Sequence, residues 1–232
     1  MLFNSYAFIF LFLPVVLFGF HWIGSLGRHR VAIAWLVAAS LFFYGWWNSA
    51  YLGLILGSML FNYAMGVAIL TDKLPNKKWL LVTGIATNLA LLGYFKYANF
   101  FVENLNTLVG NSLTLETIIL PLAISFFTFQ QITYLVDAYR GETREYHFLH
   151  YALFVTFFPQ LIAGPIVHHR EMLPQFAQDT LYRLKAEHLA VGVTVFAIGL
   201  FKKVLLADGV AVYATPVFDA AEFGVALTLF EA

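Results

Sequence analysis

No cysteine occurs among the 232 residues, which removes disulfides, thiolate metal ligands, palmitoyl anchors and a thioester-forming nucleophile. Charge is scarce as well: 11% of the residues are charged, against about 25% in soluble domains. The 13 basic and 13 acidic residues balance, so there is no overall field of the kind that holds nucleic acid. Soluble-enzyme signatures are missing too. The chain has no Gly-rich phosphate loop, no G-x-S-x-G elbow and no G-x-G-x-x-G turn. It also lacks the H-x-x-x-H and H-E-x-x-H spacings that bring two imidazoles to one zinc ion, so no metal site is expected.

What fills the chain instead is apolar. Hydrophobic residues make up 61% and aromatics 18%, and the mean hydropathy is +0.77. This composition predicts an all-α, polytopic membrane protein forming a single transmembrane domain over 1–232. Crossing roughly 30 Å of hydrocarbon at about 1.5 Å per residue takes about 20 apolar residues. Six stretches qualify: 7–24, 31–50, 51–70, 79–95, 119–139 and 187–207. The first lacks a basic n-region and a small-residue cleavage site, so it is expected to be retained. Gly45-Trp46-Trp47-Asn48 turns the second span into the third, with tryptophans suited to the interface. Pro121 is expected in the first turn of the fifth span, where its missing N–H costs little. The tract 98–117 reads as a short interfacial helix followed by a loop.

Residues 157–176, FFPQLIAGPIVHHREMLPQF, break this pattern. Pro159 and the Gly164-Pro165 pair free backbone carbonyls that hydrocarbon cannot satisfy, so this backbone must be buried in protein or line a wet cavity. Residues 150–167 are therefore expected to form a re-entrant element with both ends cytoplasmic. In the fifth span, Gln130, Thr133 and Asp137 recur at helical spacing on one face with Phe126. Such a stripe faces other helices, either as interhelical glue or as the lining of a substrate path. His21 and His29 read as interfacial, and His147 and His150 flank the start of the re-entrant element. His168 and Arg170 make either an anion-facing patch or a cluster facing lipid headgroups. On the residues alone, an enzyme and a transporter both fit.

Four blocks resemble the membrane-bound O-acyltransferase family, in its bacterial polysaccharide O-acetylase branch. They are MLFNSYAFIFLFLP (1–14), LPLAISFFTFQQITYLVDAYRG (120–141), FFPQLIAGPIVHHREMLPQF (157–176) and GLFKKVLLADGVA (199–211). The resemblance implies part of a ring of helices around a funnel joining the two membrane faces of a bacterial inner membrane. It implies acetyl-CoA as a transient cytoplasmic donor with no permanently bound cofactor, a polysaccharide acceptor outside, and an extracytoplasmic partner acetylase. It points to Gln160, His168 and Arg170 on the donor side, and to Gln130, Asp137, Gly164 and Pro165 along the channel. The family's catalytic histidine lies in a W-H-G-type block that residues 1–232 do not contain. No catalytic residue is assigned here, and the chain is expected to be inactive by itself. A transporter, or a non-catalytic scaffold for a periplasmic acetylase, remains as the alternative.

Basic residues set the orientation. Arg28 and Arg30 follow the first span, Lys73, Lys77 and Lys78 the third, and Arg140 and Arg144 the fifth. All fall on one side, which the positive-inside rule makes cytoplasmic, with the N-terminus outside. Single cysteines introduced into this cysteine-free chain test the assignment. A membrane-impermeant maleimide applied from outside should label Asn111→Cys and spare Asn76→Cys; the opposite pattern overturns the orientation.

Overall fold

The structure is a computed structural model that describes residues 1–71, 76–109, 118–142, 147–164 and 169–222. All regular elements among the described residues are helical. The chain divides into two compact units, Met1 with Pro14–Arg183, and Leu2–Leu13 with Leu184–Ala232.

The larger unit begins with α1 (Leu13–Ser25), which a π-helical turn, Phe8–Phe12, precedes. It continues with α2 (His29–Gly45), α3 (Leu52–Leu70) after a 3₁₀ turn (Ser49–Tyr51), and α4 (Lys77–Val109). Then come α5 (Ile124–Tyr139), α6 (Phe148–Thr156), α7 (Phe158–Ala163), α8 (His169–Phe176) and a 3₁₀ turn, Asp179–Tyr182. By length and composition, Phe8–Ser25, Ser49–Leu70, Lys77–Leu108 and Ala186–Ala221 can cross a membrane. The chain is an all-α, multi-pass membrane protein, and α2 and α5, at 17 and 16 residues, fall just short of that length.

Three of the expected elements need correction. First, α4 does not stop at the interface. It runs through 33 residues to Val109, so the start of 98–117 is a continuation of the fourth span; residues 110–117 lie outside the described residues. Lys96, exposed and 5.4 Å from the Tyr97 ring, sits about 27 Å along the helix from Lys78, close to the hydrocarbon thickness. Nothing in the helical backbone requires a break where the membrane ends. Second, α5 begins at Ile124 and not at 119, so Pro121 precedes the helix. Ala123 takes a left-handed backbone, φ 58°, which is uncommon for a residue with a Cβ. Third, the sixth span does not end at 207. α9 (Ala186–Phe201) passes through a π-helical stretch, Lys202–Ala207, into α10 (Asp208–Glu222).

Close backbone approach holds the larger unit together, as expected where lipid removes the hydrophobic drive between helices. A Cβ on Gly66 of α3 would lie 2.2 Å from the Tyr134 ring of α5, and one on Gly84 of α4 would lie 2.6 Å from Leu135 Cδ1. α5 is thus packed into a groove that two glycines open. At the α1–α2 hairpin, Trp35 Nε1 donates to the Val16 carbonyl at 3.0 Å, and Gly27 closes the turn at φ 72°. Tyr182 fastens this hairpin to the segment after α8. Its ring stacks on His29 at 4.0 Å and 6°, its hydroxyl donates to the Phe176 carbonyl at 2.7 Å, and His29 Nδ1 lies 3.5 Å from Asp179. Burial, and then the Asp179 carboxylate, push the Tyr182 phenol above its ordinary pKa. In the smaller unit, the Phe8 ring packs against Phe3, Phe12 and Phe196. Lys203 pairs with Asp208 across the π-helical stretch, so these two charges neutralise one another.

Gly66→Ala is expected to destabilise the protein by about 1–3 kcal/mol, because the added methyl must push α3 and α5 apart. Thermal unfolding in nanodiscs reads the loss. Adding Tyr134→Leu, which empties the space that the methyl enters, should restore part of it.

Candidate functional site: a polar seam between α5, α6 and α7

The site starts from an irregular backbone. Before α5, side chains from three other elements take up the carbonyls of Ile118, Ile119 and Leu122, while the Pro121 carbonyl accepts from the Ile124 N–H at 3.3 Å. Asn99 on α4 donates to the Ile118 carbonyl (2.9 Å) and accepts from the Ile118 N–H (3.1 Å). The Tyr51 hydroxyl donates to the Ile119 carbonyl (2.6 Å), and the Tyr44 hydroxyl to the Leu122 carbonyl (3.1 Å). A second irregularity separates α6 from α7. Phe157 leaves the helical region (φ −51°, ψ 105°), and Pro159 falls in the first turn of α7. The Phe158 N–H freed by this break donates to Ser40 Oγ of α2 at 3.3 Å. α7 ends at Gly164, which is extended (ψ 161°), as the residue before a proline prefers to be. A Cβ there would lie 2.7 Å from the Gln160 Cα, so the turn accepts only glycine without distortion.

With nine residues, α6 is about 13 Å long, and the six of α7 about 9 Å. Neither can cross the hydrocarbon, and α6 is buried from Tyr151 to Thr156. The described part of 150–167 is thus a broken, protein-enclosed element.

α5 contributes polar side chains to two places. Towards α3 and α4, Gln131 Oε1 accepts from Ser58 Oγ (2.6 Å) and from Asn62 Nδ2. Asn62 and Asn88 exchange amide hydrogen bonds, at 3.1 and 2.6 Å, and each also donates to the backbone of its own helix. Asn62 Nδ2 meets three acceptors with two hydrogens, so one bond is shared. Three buried amides on three helices thus form one clamp.

Elsewhere, buried polar atoms have no protein partner among the described residues. They are Thr128 Oγ1, Gln130 Oε1 and Gln131 Nε2 on α5, Tyr151 Oη on α6, and Gln160 Nε2 on α7. The three helices touch one another, and the Tyr134 and Tyr151 rings meet across α5 and α6 at 4.5 Å. Native proteins leave few such groups unpaired, and those that remain ask for an explanation. Gln130, Tyr151 and Gln160, on three touching helices, make the core of this polar seam, and such uncharged hydroxyls and amides are suited to an uncharged polar ligand.

Of the residues singled out in the sequence, Gln130 and Gln160 are buried on touching helices, Asp137 is buried further along α5, and Gly164 closes α7. Thr133 does not join them. Its hydroxyl donates to the Phe129 carbonyl of its own helix, and Phe126, expected on the same face, is exposed. Thr128 and Gln131 take that place, since α5 turns the 124–127–131–134 line inward. Pro165 and His168 lie outside the described residues, as does the side chain of Arg170 on α8. Sequence reasoning passed over Ser58, Asn62, Asn88, Gln131 and Tyr151. Asn62 and Asn88 had a signal, as lone amides in the middle of apolar runs.

Residues 83–228 match MBOAT, the membrane-bound O-acyltransferase family. The chain belongs to this family. The matched stretch contains all of α5, α6 and α7. Curated relatives include a peptidoglycan O-acetyltransferase of Helicobacter pylori, 44% identical over 95% of this chain and 47% of that protein. The probable alginate O-acetylase AlgI of Pseudomonas putida is 38% identical over 94% of this chain and 45% of its own length. Its Pseudomonas aeruginosa counterpart is 39% identical, over 94% and 42%. The chain spans about half the length of the curated relatives it matches. No solved structure matches it significantly.

Asn62→Ala should cost about 1–3 kcal/mol, because it strands the buried amides of Asn88 and Gln131. Asn104→Ala, at an exposed amide bonded only within its own helix, should cost far less. Chemical or thermal unfolding of the two variants in the same nanodiscs makes the comparison.

Proposed function

We propose that this chain is part of a membrane O-acetyltransferase that moves acetyl from cytoplasmic acetyl-CoA to a hydroxyl of an exported glycan, in a bacterial inner membrane. The observation that carries the reading is a set of buried, uncharged hydroxyls and amides without protein partners on α5, α6 and α7, three touching helices inside the stretch that matches the acyltransferase family. Amides and hydroxyls suit the amide-rich arm and thioester carbonyl of acetyl-CoA, which need hydrogen bonds and no counter-charge. Gln160, at the broken end of the seam, is the donor-side contact, with His168 and Arg170 next in the chain; Gln130, Asp137, Gly164 and Pro165 belong to the channel.

In the transfer, the acceptor hydroxyl oxygen forms an ester bond to the acetyl carbon as the thioester C–S bond breaks. A general base takes the hydroxyl proton, and the leaving thiolate is protonated. By resemblance to the family, that base is a histidine beyond residues 1–232. The relatives' names carry two glycans, peptidoglycan and alginate, so a sugar hydroxyl outside the membrane is the acceptor class that both support. A separate extracytoplasmic acetylase is the proposed partner in delivery.

The test follows transfer of labelled acetyl from acetyl-CoA to glycan in membranes that carry either residues 1–232 or the chain extended to its relatives' length, with the partner. Only the extended chain should support transfer, and Gln160→Leu in it should lower turnover at least tenfold while the protein stays folded. Transfer by residues 1–232 alone, abolished by His168→Ala or His169→Ala, would show that the chemistry lies elsewhere.

A further inference from the structure

Away from the seam, the α1–α2 hairpin meets the segment after α8 through three side chains. His29, the first residue of α2, lays its imidazole flat on the Tyr182 ring, the centroids 4.0 Å and the planes 6° apart. Its Nδ1 lies 3.5 Å from the Asp179 carboxylate. Tyr182 is 2% exposed. It rests over Gly24, where a Cβ would lie 2.8 Å from it, and its hydroxyl donates to the Phe176 carbonyl at the end of α8. Residues 176–182 thus form a strap that this bond closes on itself and that the Tyr182 ring presses against the hairpin. The His29 and Asp179 side chains are 37% and 84% exposed, so the imidazole exchanges protons with water while the strap is docked.

We propose that His29, Asp179 and Tyr182 form a proton-dependent latch, which holds the strap on the hairpin more tightly when His29 is protonated. What matters is how docking changes the surroundings of His29. Arg28 and Arg30 flank it in sequence and the positive end of α2 lies beneath it, which disfavours a cation. These stay with His29 whether the strap is docked or released, and so does His21 on α1, whose Nδ1 lies 3.5 Å from the Tyr182 carbonyl. The strap itself brings the Asp179 carboxylate and the electron-rich face of Tyr182, and both favour a cation. Arg183, next along the chain, is exposed, as is Glu171 on α8, so water and salt screen both. The Tyr182 phenol is pushed above its ordinary pKa by burial and then by Asp179, so it stays uncharged. Docking therefore takes up a proton. The added hold is present below the range in which histidines ordinarily titrate, about pH 5 to 8, and is lost as the pH rises through it.

The experiment uses the chain of residues 1–232 in phosphatidylcholine nanodiscs. Amide hydrogen exchange of residues 177–184 is followed at about pH 5.5 and about pH 8, each rate divided by the intrinsic rate at that pH, so that protection reports local opening of the strap. In the wild-type chain, protection should be about two- to fivefold higher at the lower pH, the size of an exposed ion pair. His29→Phe keeps a ring on Tyr182 but takes no proton, and its protection should be the same at both pH values. Asp179→Asn should also abolish the difference, and its 84% exposed side chain makes it the variant that folds like wild type. His21→Gln should keep the wild-type ratio. Equal protection at both pH values in the wild-type chain, or the wild-type ratio persisting in Asp179→Asn, overturns the proposal. The latch does not depend on acetyl transfer, so either reading can fail without the other.

Discussion

The carbonyls of Ile118, Ile119 and Leu122 must find hydrogen bonds without a helix to supply them, and hydrocarbon offers none. Asn99, Tyr51 and Tyr44 meet that need from three different elements, which fixes where the non-helical stretch runs and hence where α5 starts. With 16 residues, α5 rises about 24 Å, less than the hydrocarbon thickness, so an extended approach has to complete the crossing. The same constraint acts at Phe158, whose freed N–H goes to Ser40. Each irregularity is therefore possible only because a polar side chain from a regular helix stands opposite it. The regular helices α2, α3 and α4 form the frame, and α5, α6 and α7 are what the frame permits.

Much of this frame was legible in the sequence, because length and apolarity are properties of single segments. α1, α2 and α3 fall close to the expected spans, and the breakers at Pro159 and Gly164 sit where the helix is interrupted. The misreadings have one cause. Apolar residues fit a helix and an extended chain equally when neighbours satisfy the backbone, so 119–123 gave no local sign of being non-helical. The partners that make it possible, Tyr44 and Tyr51, lie some 70 residues earlier. Likewise, polarity in 98–109 signals departure from the membrane but not the end of a helix, and α4 continues into that tract.

The buried face of α5 was read correctly at Gln130 and Asp137 but not at Thr133, for a related reason. A polar stripe at +3 and +4 picks out Gln130, Thr133 and Asp137, but helical spacing alone does not say which face turns inward. That choice comes from Gly66 and Gly84, which admit Tyr134 and Leu135 and rotate the 127–131–134 line into the bundle. Two glycines on other helices thus decide which of α5's polar residues are buried. Thr133, turned aside, satisfies itself on its own backbone.

Gln130 and Gln131 show how close structural and ligand-facing roles lie. Neighbours on a helix point about 100° apart, so one amide can clamp α3 and α4 while the next faces the seam. Gln131 is the clamp, its oxygen occupied by Ser58 and Asn62 while its Nε2 has no protein partner among the described residues. Membrane depth then limits what chemistry each place holds. A charged side chain at the bilayer centre costs about 2.5–3.5 kcal/mol on insertion scales, whereas amides and hydroxyls can be carried inside once paired. The buried polar groups left without protein partners on α5, α6 and α7 are accordingly amides and hydroxyls, while Arg30, at the start of α2, is exposed.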